Sequence, residues 1–171
     1  MATTLNQNSV SVSILSEIKN AGVLSPGALD RFEKTYAKAL TDGTGADQAK
    51  NHWHSQRTLA ASASESLDLA GGLTNLVGDV LIFTKIKYIF LFAAAANTND
   101  VVIGNAAANA WVGPFGAAAH TLAIKPGGHL SLEAPDGNGY AVTAGTGDIL
   151  KVLNGGAGTG VTYDIILVGT V

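Results

Sequence analysis

The chain contains no cysteine, which removes disulfides, thiolate metal sites and cysteine nucleophiles at once. Charge is scarce as well: Asp, Glu, Lys and Arg make up 13% of the 171 residues, about half the usual share in a soluble domain. Ten Lys and Arg are scattered among thirteen Asp and Glu, so no basic patch is available to neutralise nucleic-acid phosphates. There is no G-x-S-x-G elbow for acyl transfer. The glycine-rich stretch 155–160 lacks the spacing of a phosphate loop, because Val161 stands where the last glycine would be and a predicted strand follows it. Long apolar runs are missing too. The most hydrophobic window, 80–96, carries Lys85 and Lys87 and falls short of the about twenty apolar residues of a membrane helix. The opening MATTLNQNSVSVS has neither the basic start nor the continuous apolar core of a signal peptide, so a cytosolic product is expected.

What is present is a 47% hydrophobic chain, enough for a real core. A surface this poor in charge is expected to be covered by copies of itself or by a larger partner. From residue 53 onward, short apolar runs are broken every eight to fifteen residues by Gly, Pro, Asn and Asp, the rhythm of an antiparallel β-sandwich. Strands are predicted near 53–61, 65–70, 80–93, 100–104, 120–125, 129–134, 139–143, 148–153 and 161–170. That number over about 120 residues fits a jelly roll or a related Greek-key sandwich. The run 80–93 reads as one strand buried on both faces. KPGG (125–128) reads as a type II turn joining two strands in a hairpin, and PDGNGY (135–140) offers two tight primed turns.

The first fifty residues differ in character, and the expected organisation is an arm over 1–50 followed by a jelly-roll domain over 51–171. In 9–14, Val10, Val12 and Ile14 share one face and serines the other, the period of a half-buried strand. It has no obvious hairpin partner nearby and is expected to pair with the main sheet or with a neighbouring subunit. Ser25 as cap and Pro26 at the first turn predict one α-helix over 25–41, with Leu29, Phe32, Tyr36 and Leu40 as its apolar stripe. That stripe either covers one edge or end of the sandwich or belongs to an arm binding a neighbouring protein. A polar linker, 41–51, follows.

Few residues carry chemistry. His52 and His54 flank Trp53 and point to one side of a strand, but a zinc site needs a further ligand; His120 and His129 are isolated. Carboxylate pairs such as Asp136 with Asp148, or Glu65 with Asp68, are of the kind any chain with thirteen acids offers. No catalytic residue, metal, cofactor or small-molecule substrate is therefore expected. Trp111, Val112, Pro114 and Phe115 lie in an Ala-rich segment that reads as a long loop. Such a loop is either core filler or an intersubunit contact. The candidate interface is thus Val10, Val12, Ile14, Leu29, Phe32, Tyr36, Leu40, Trp111, Val112 and Phe115.

The run from WHSQRTLAASASESLDLAGGLT through KIKYIFLFAAAANTNDVVIGNAAANAWVGPFG and IKPGGHLSLEAPDGNGYAVTAGTGDILKVLN to VTYDIILVGTV resembles small virion proteins of tailed bacteriophages, in particular capsid decoration, or cement, proteins. The resemblance covers about 120 residues and rests on overall pattern, with residues 1–50 matching least. It implies a jelly-roll unit that forms a homotrimer on the outer capsid surface, clamps neighbouring major capsid proteins and is made in the bacterial cytoplasm. A tail, baseplate or fibre-associated sandwich and a carbohydrate-binding module are the alternatives.

Overall fold

The structure, a computed structural model, describes residues 8–20, 22 and 27–171. Its elements are β1 (Asn8–Lys19), β2 (Leu29–Asp42), β3 (Gln48–Ala49), β4 (Asn51–Leu59), β5 (Ser64–Asp68), β6 (Ala70–Thr74), β7 (Val80–Ile82), β8 (Lys85–Ala93), β9 (Val101–Gly104), β10 (Thr121–Ile124), β11 (His129–Glu133), β12 (Tyr140–Ala141), β13 (Ile149–Asn154) and β14 (Val161–Thr170). The protein is mainly β, with no helix among the described residues.

The body is built of antiparallel sheets. One has the order β10-β9-β13-β5, and a second has the order β11-β8-β14-β4, with β12 also on β8. The hairpin β6-β7 stands beside them. The inner faces of both sheets meet in one core, with Ile89 and Leu91 of β8 and Ile165 and Leu167 of β14 from one sheet, and Ile103 of β9 and Leu150 and Val152 of β13 from the other. Alternation along β14 explains its central place: Val161, Tyr163, Ile165 and Leu167 are buried while Thr162, Asp164 and Ile166 are not.

The expected strand 80–93 is two strands. Phe83 hydrogen-bonds through its N–H to Leu69 O and Thr84 to Thr170 O, so the chain changes partner there and β7 pairs with β6 while β8 pairs with β14. Lys85 and Lys87 interrupt the apolar run for a local reason. The Lys85 ammonium donates to Gly137 O at 2.7 Å and that of Lys87 to Asp136 O, tethering the 135–139 loop. The Asp136 carboxylate accepts from the N–H groups of Gly139 and Asn138, and these bonds hold its pKa below the ordinary aspartate range.

The turn at 125–128 is type II as expected, with Gly127 at φ 76° and Gly128 N–H bonded to Lys125 O at 2.8 Å. It does not close a hairpin. β10 pairs with β9 and β11 with β8, so this turn carries the chain from one sheet to the other. Likewise β11 and β12 both lie on β8 rather than on each other.

A bulge between Val168 and Gly169 shifts the β14–β8 register. A Cβ at Gly169 would lie 2.2 Å from Lys85 O and 2.9 Å from a Phe83 ring carbon, so the strands close only over glycine. Gly169→Ala is expected to cost about 2 kcal/mol, read as a lower urea midpoint with an unchanged m-value.

The largest correction concerns residues 29–42, where no helix forms. They are a strand paired with β1 along its whole length, from Asn8 with Leu40 to Lys19 with Leu29. Ser25 and Pro26, the expected start of that helix, lie outside the described residues. The strand expected at 9–14 runs on to Lys19. Its partner is this hairpin neighbour, not the main sheet.

Candidate interaction surfaces

The β1–β2 ribbon leaves the body at one end. Val10 (7% exposed) and Leu40 (3%) are buried at its base, where Leu40 packs with Ala49, Val168 and Tyr88. Every described residue from 11 to 37 is exposed. Residues opposite one another in an antiparallel pair share a face. Val12 with Tyr36, Ile14 with Lys34, Ser16 with Phe32 and Ile18 with Asp30 therefore form one face, and serines, Glu17, Lys19, Arg31, Glu33 and Thr35 dominate the other. The first face is apolar yet uncovered: Phe32 is 52%, Tyr36 59% and Ile18 67% exposed. On the second, Ser13 and Thr35 share a hydroxyl hydrogen bond at 2.7 Å and Arg31 meets Glu33 at 3.0 Å. This is a water-facing surface interrupted by Leu15 and Leu29.

The ribbon thus gathers Val10, Val12, Ile14, Phe32, Tyr36 and Leu40 on one side and separates Leu29, which falls on the opposite face. It also adds Ile18, which the shorter expected strand left out. The alternation continues through Ile18 and was the available signal.

The Ala-rich segment is placed differently from a free contact loop. Trp111 is only 2% exposed. Its indole N–H donates to Ala141 O at 2.8 Å, and its ring meets Phe115 and Tyr140 edge-on at 6.2 and 6.3 Å. Phe115 packs half-buried against the core, and of the expected trio only Val112 is exposed.

His52 and His54 lie on one face of β4 with rings stacked 5.8 Å apart, beside the exposed Leu76 and Val77 of the β6–β7 turn. Among the described residues no three His, Asp or Glu side chains gather as metal ligands would. His129 stacks on Phe90 at 5.6 Å and His120 Nδ1 bonds Phe115 O at 2.6 Å.

Sequence reasoning gave Glu65 no structural role, yet a charged cluster that spans the two sheets is built on it. Tyr163, fully buried on β14, donates its hydroxyl to Glu65 Oε1 at 2.7 Å, and Arg57 Nε of β4 donates to Glu65 Oε2 at 2.8 Å. Glu65 sits on β5, so these bonds tie the two sheets together. Burial, the hydrogen bond to Glu65 and the Glu65 charge push the Tyr163 pKa far above its ordinary value. In the unfolded chain this tyrosine ionises near pH 10. A raised folded pKa makes its contribution full below that pH and lost above it. Stability should therefore fall more steeply above about pH 10 in the wild type than in Tyr163→Phe, as measured by thermal unfolding across an alkaline series.

Compared with protein-family models, curated proteins and solved structures, the chain finds no match.

Proposed function

We propose that the chain is a structural protein of a bacteriophage virion, a jelly-roll unit that decorates and stabilises the capsid by bridging its neighbours. The observation that carries this reading is the ribbon: an arm 12 to 14 residues long stands off the body with an apolar face that none of the described residues covers. A lone two-stranded ribbon is marginal in water, so one kept with such a face is built to be completed by another molecule.

The strand order supports the jelly-roll part. Strands β4, β14, β8 and β11 share one sheet and β5, β13, β9 and β10 the other, which is the interleaving of two Greek keys over eight strands. The small charge content supports burial among like units, since few ions need desolvating when neutral surfaces meet. Function is then mechanical. Trimers seated on the major capsid protein each make modest contacts, and symmetry multiplies them against the pressure of packaged DNA.

The test is electron microscopy of phage particles labelled with antibody to the chain. Label spread over the head supports the proposal. Label confined to tail or fibres moves the sandwich to the tail, and unlabelled particles remove the chain from the virion.

A further inference from the structure

We infer that the molecule covering the ribbon is a second copy of the chain, seated ribbon on ribbon about a twofold axis that crosses the strands at Ser16 and Phe32. The inference rests on reading the ribbon as an assembly arm, and it names the partner.

Two observations place the axis independently. The first is exposure. Val10 and Leu40 are already buried at the base, and the Asn20 N–H bond to Ala28 O at 2.9 Å carries the ladder to the far end. Among the described residues the uncovered apolar face therefore runs from the Val12–Tyr36 pair to the Asn20–Ala28 pair, and the midpoint of that stretch is the Ser16–Phe32 pair. The second is charge. Only two charged residues lie on this face within that stretch, Asp30 and Lys34. Neither has an ion-pair partner among the described residues. The Lys34 ammonium rests over the Tyr36 ring, 5.9 Å from its centre, which keeps it on the apolar side.

The two charges flank Phe32 at equal distance. A twofold through Phe32 sets Lys34 of one copy over Asp30 of the other, twice per contact, while Phe32 meets Phe32 and Ile14 meets Ile18. A parallel arrangement would lay Lys34 on Ile14 and Asp30 on Ile18, leaving both charges unpaired against apolar side chains. The face is therefore self-complementary in one orientation, as an isologous contact requires.

The size of the contact sets its strength. Nine residues on each of two strands cover roughly 300 Å² per ribbon from strand rise and spacing, below what a permanent dimer buries. The contact is reversible when alone and strong only where many copies are held together. In a shell of trimers it supplies the twofold links between neighbouring threefold units, which a closed icosahedral lattice needs.

The experiment is sedimentation velocity on the full chain from about 1 µM to 1 mM, the range of a contact this small. Wild type is compared with Asp30→Lys, Lys34→Asp and the double exchange, all first shown folded by far-ultraviolet circular dichroism. Wild type should show concentration-dependent doubling of its basic mass. Each single variant faces like charges across the axis and should shift the midpoint at least about tenfold upward, and the double exchange should return it to near the wild-type value. The absence of cysteine allows a second readout independent of affinity. Ser16→Cys should be captured as a covalent pair by a short bis-maleimide, and Ala37→Cys on the opposite face should not. No doubling in the wild type, single variants indistinguishable from it, no recovery in the double exchange, or equal capture of Ala37→Cys each overturns the inference. Because this assay contains no capsid, its failure with heads still labelled leaves the decoration reading standing, and doubling without labelled particles does the reverse.

Discussion

Trp111→Ala is expected to lower unfolding free energy by about 3–5 kcal/mol, the range for removing a large aromatic side chain from a core. Two losses coincide at this position. The indole leaves a cavity between Phe115 and Tyr140, both of which it meets edge-on. Ala141 O loses its donor. The main-chain bond from Trp111 N–H to Ile149 O, which fastens the β9–β10 connection to β13 at the same point, survives in the variant, so the cost comes from the side chain. Against a typical total of 5–15 kcal/mol, such a loss leaves little reserve at 37 °C. Trp111→Phe refills part of the volume but leaves Ala141 O unpaired, and should cost about 1–2 kcal/mol less than the alanine variant. Urea unfolding followed by circular dichroism measures both. The same pair separates the two roles open to this segment. A side chain acting mainly at a subunit contact would change the oligomeric mass on truncation while leaving unfolding of the single chain nearly unaltered.

Why the body was legible and the ribbon only half so comes down to spacing. Most strands of residues 53–171 announce themselves because they end in residues that cannot continue one, and the closing strand 161–170 coincides with β14 to the residue. Phe32, Tyr36 and Leu40 recur every four positions, and four is the one spacing that serves both periods: about one turn of helix and an even number of steps along a strand. Leu29 was the discriminating residue. On a helix it joins the stripe, whereas on a strand its odd position puts it on the other face with Arg31 and Glu33, where the structure has it. The helix formers Ala37, Lys38 and Ala39 favour the first choice only weakly, and pairing along all of β1 outweighs them. The missing hairpin partner and the misread helix were thus one error.

At 125–128 the turn chemistry was sound where the topology was not, whereas at 135–140 neither primed turn forms, since only Gly139 takes a positive φ. Pro126 and Gly127 specify the turn type, but a type II turn is equally suited to a corner between sheets, and no local residue distinguishes the two. β6 escaped notice because two adjacent glycines weaken the strand signal, and Gly71 does adopt φ 144° inside an irregular pairing with β7. Trp111 shows the same limit on the site side. Its neighbours in sequence, Gly, Pro and Ala, describe a loop correctly, whereas its burial depends on Tyr140 and Ala141, thirty residues on.

Glu65→Ala should cost about 3 kcal/mol, mostly through its effect on Tyr163 rather than through the ion pair. Arg57 and Glu65 side chains retain 39% and 16% exposure, so the charge pair alone is worth about 1 kcal/mol or less. Tyr163 is fully buried, and with its acceptor removed the hydroxyl carries a desolvation penalty of about 1–3 kcal/mol. The lost span between β5 and β14 adds the packing of the Glu65 stem. A double-mutant cycle with Tyr163→Phe tests the partition: once the hydroxyl is gone, Glu65→Ala should cost about 1–2 kcal/mol less than it does in the wild type. Additive losses would locate the cost in the ion pair or the packing instead. The acid limb gives a second reading. Burial resists ionisation of Glu65, but the hydrogen bonds from Arg57 and Tyr163 outweigh it, and the carboxyl titrates below the ordinary glutamate range. A depressed folded pKa means a stabilising contribution that is full above the unfolded value of about 4.3 and lost as pH falls through the folded one. Glu65→Gln keeps an acceptor near the tyrosine hydroxyl but has no proton to take up. Its stability should change less than that of the wild type as pH falls below about 4, and parallel acid limbs in the two proteins would show that Glu65 is not what the acid titrates.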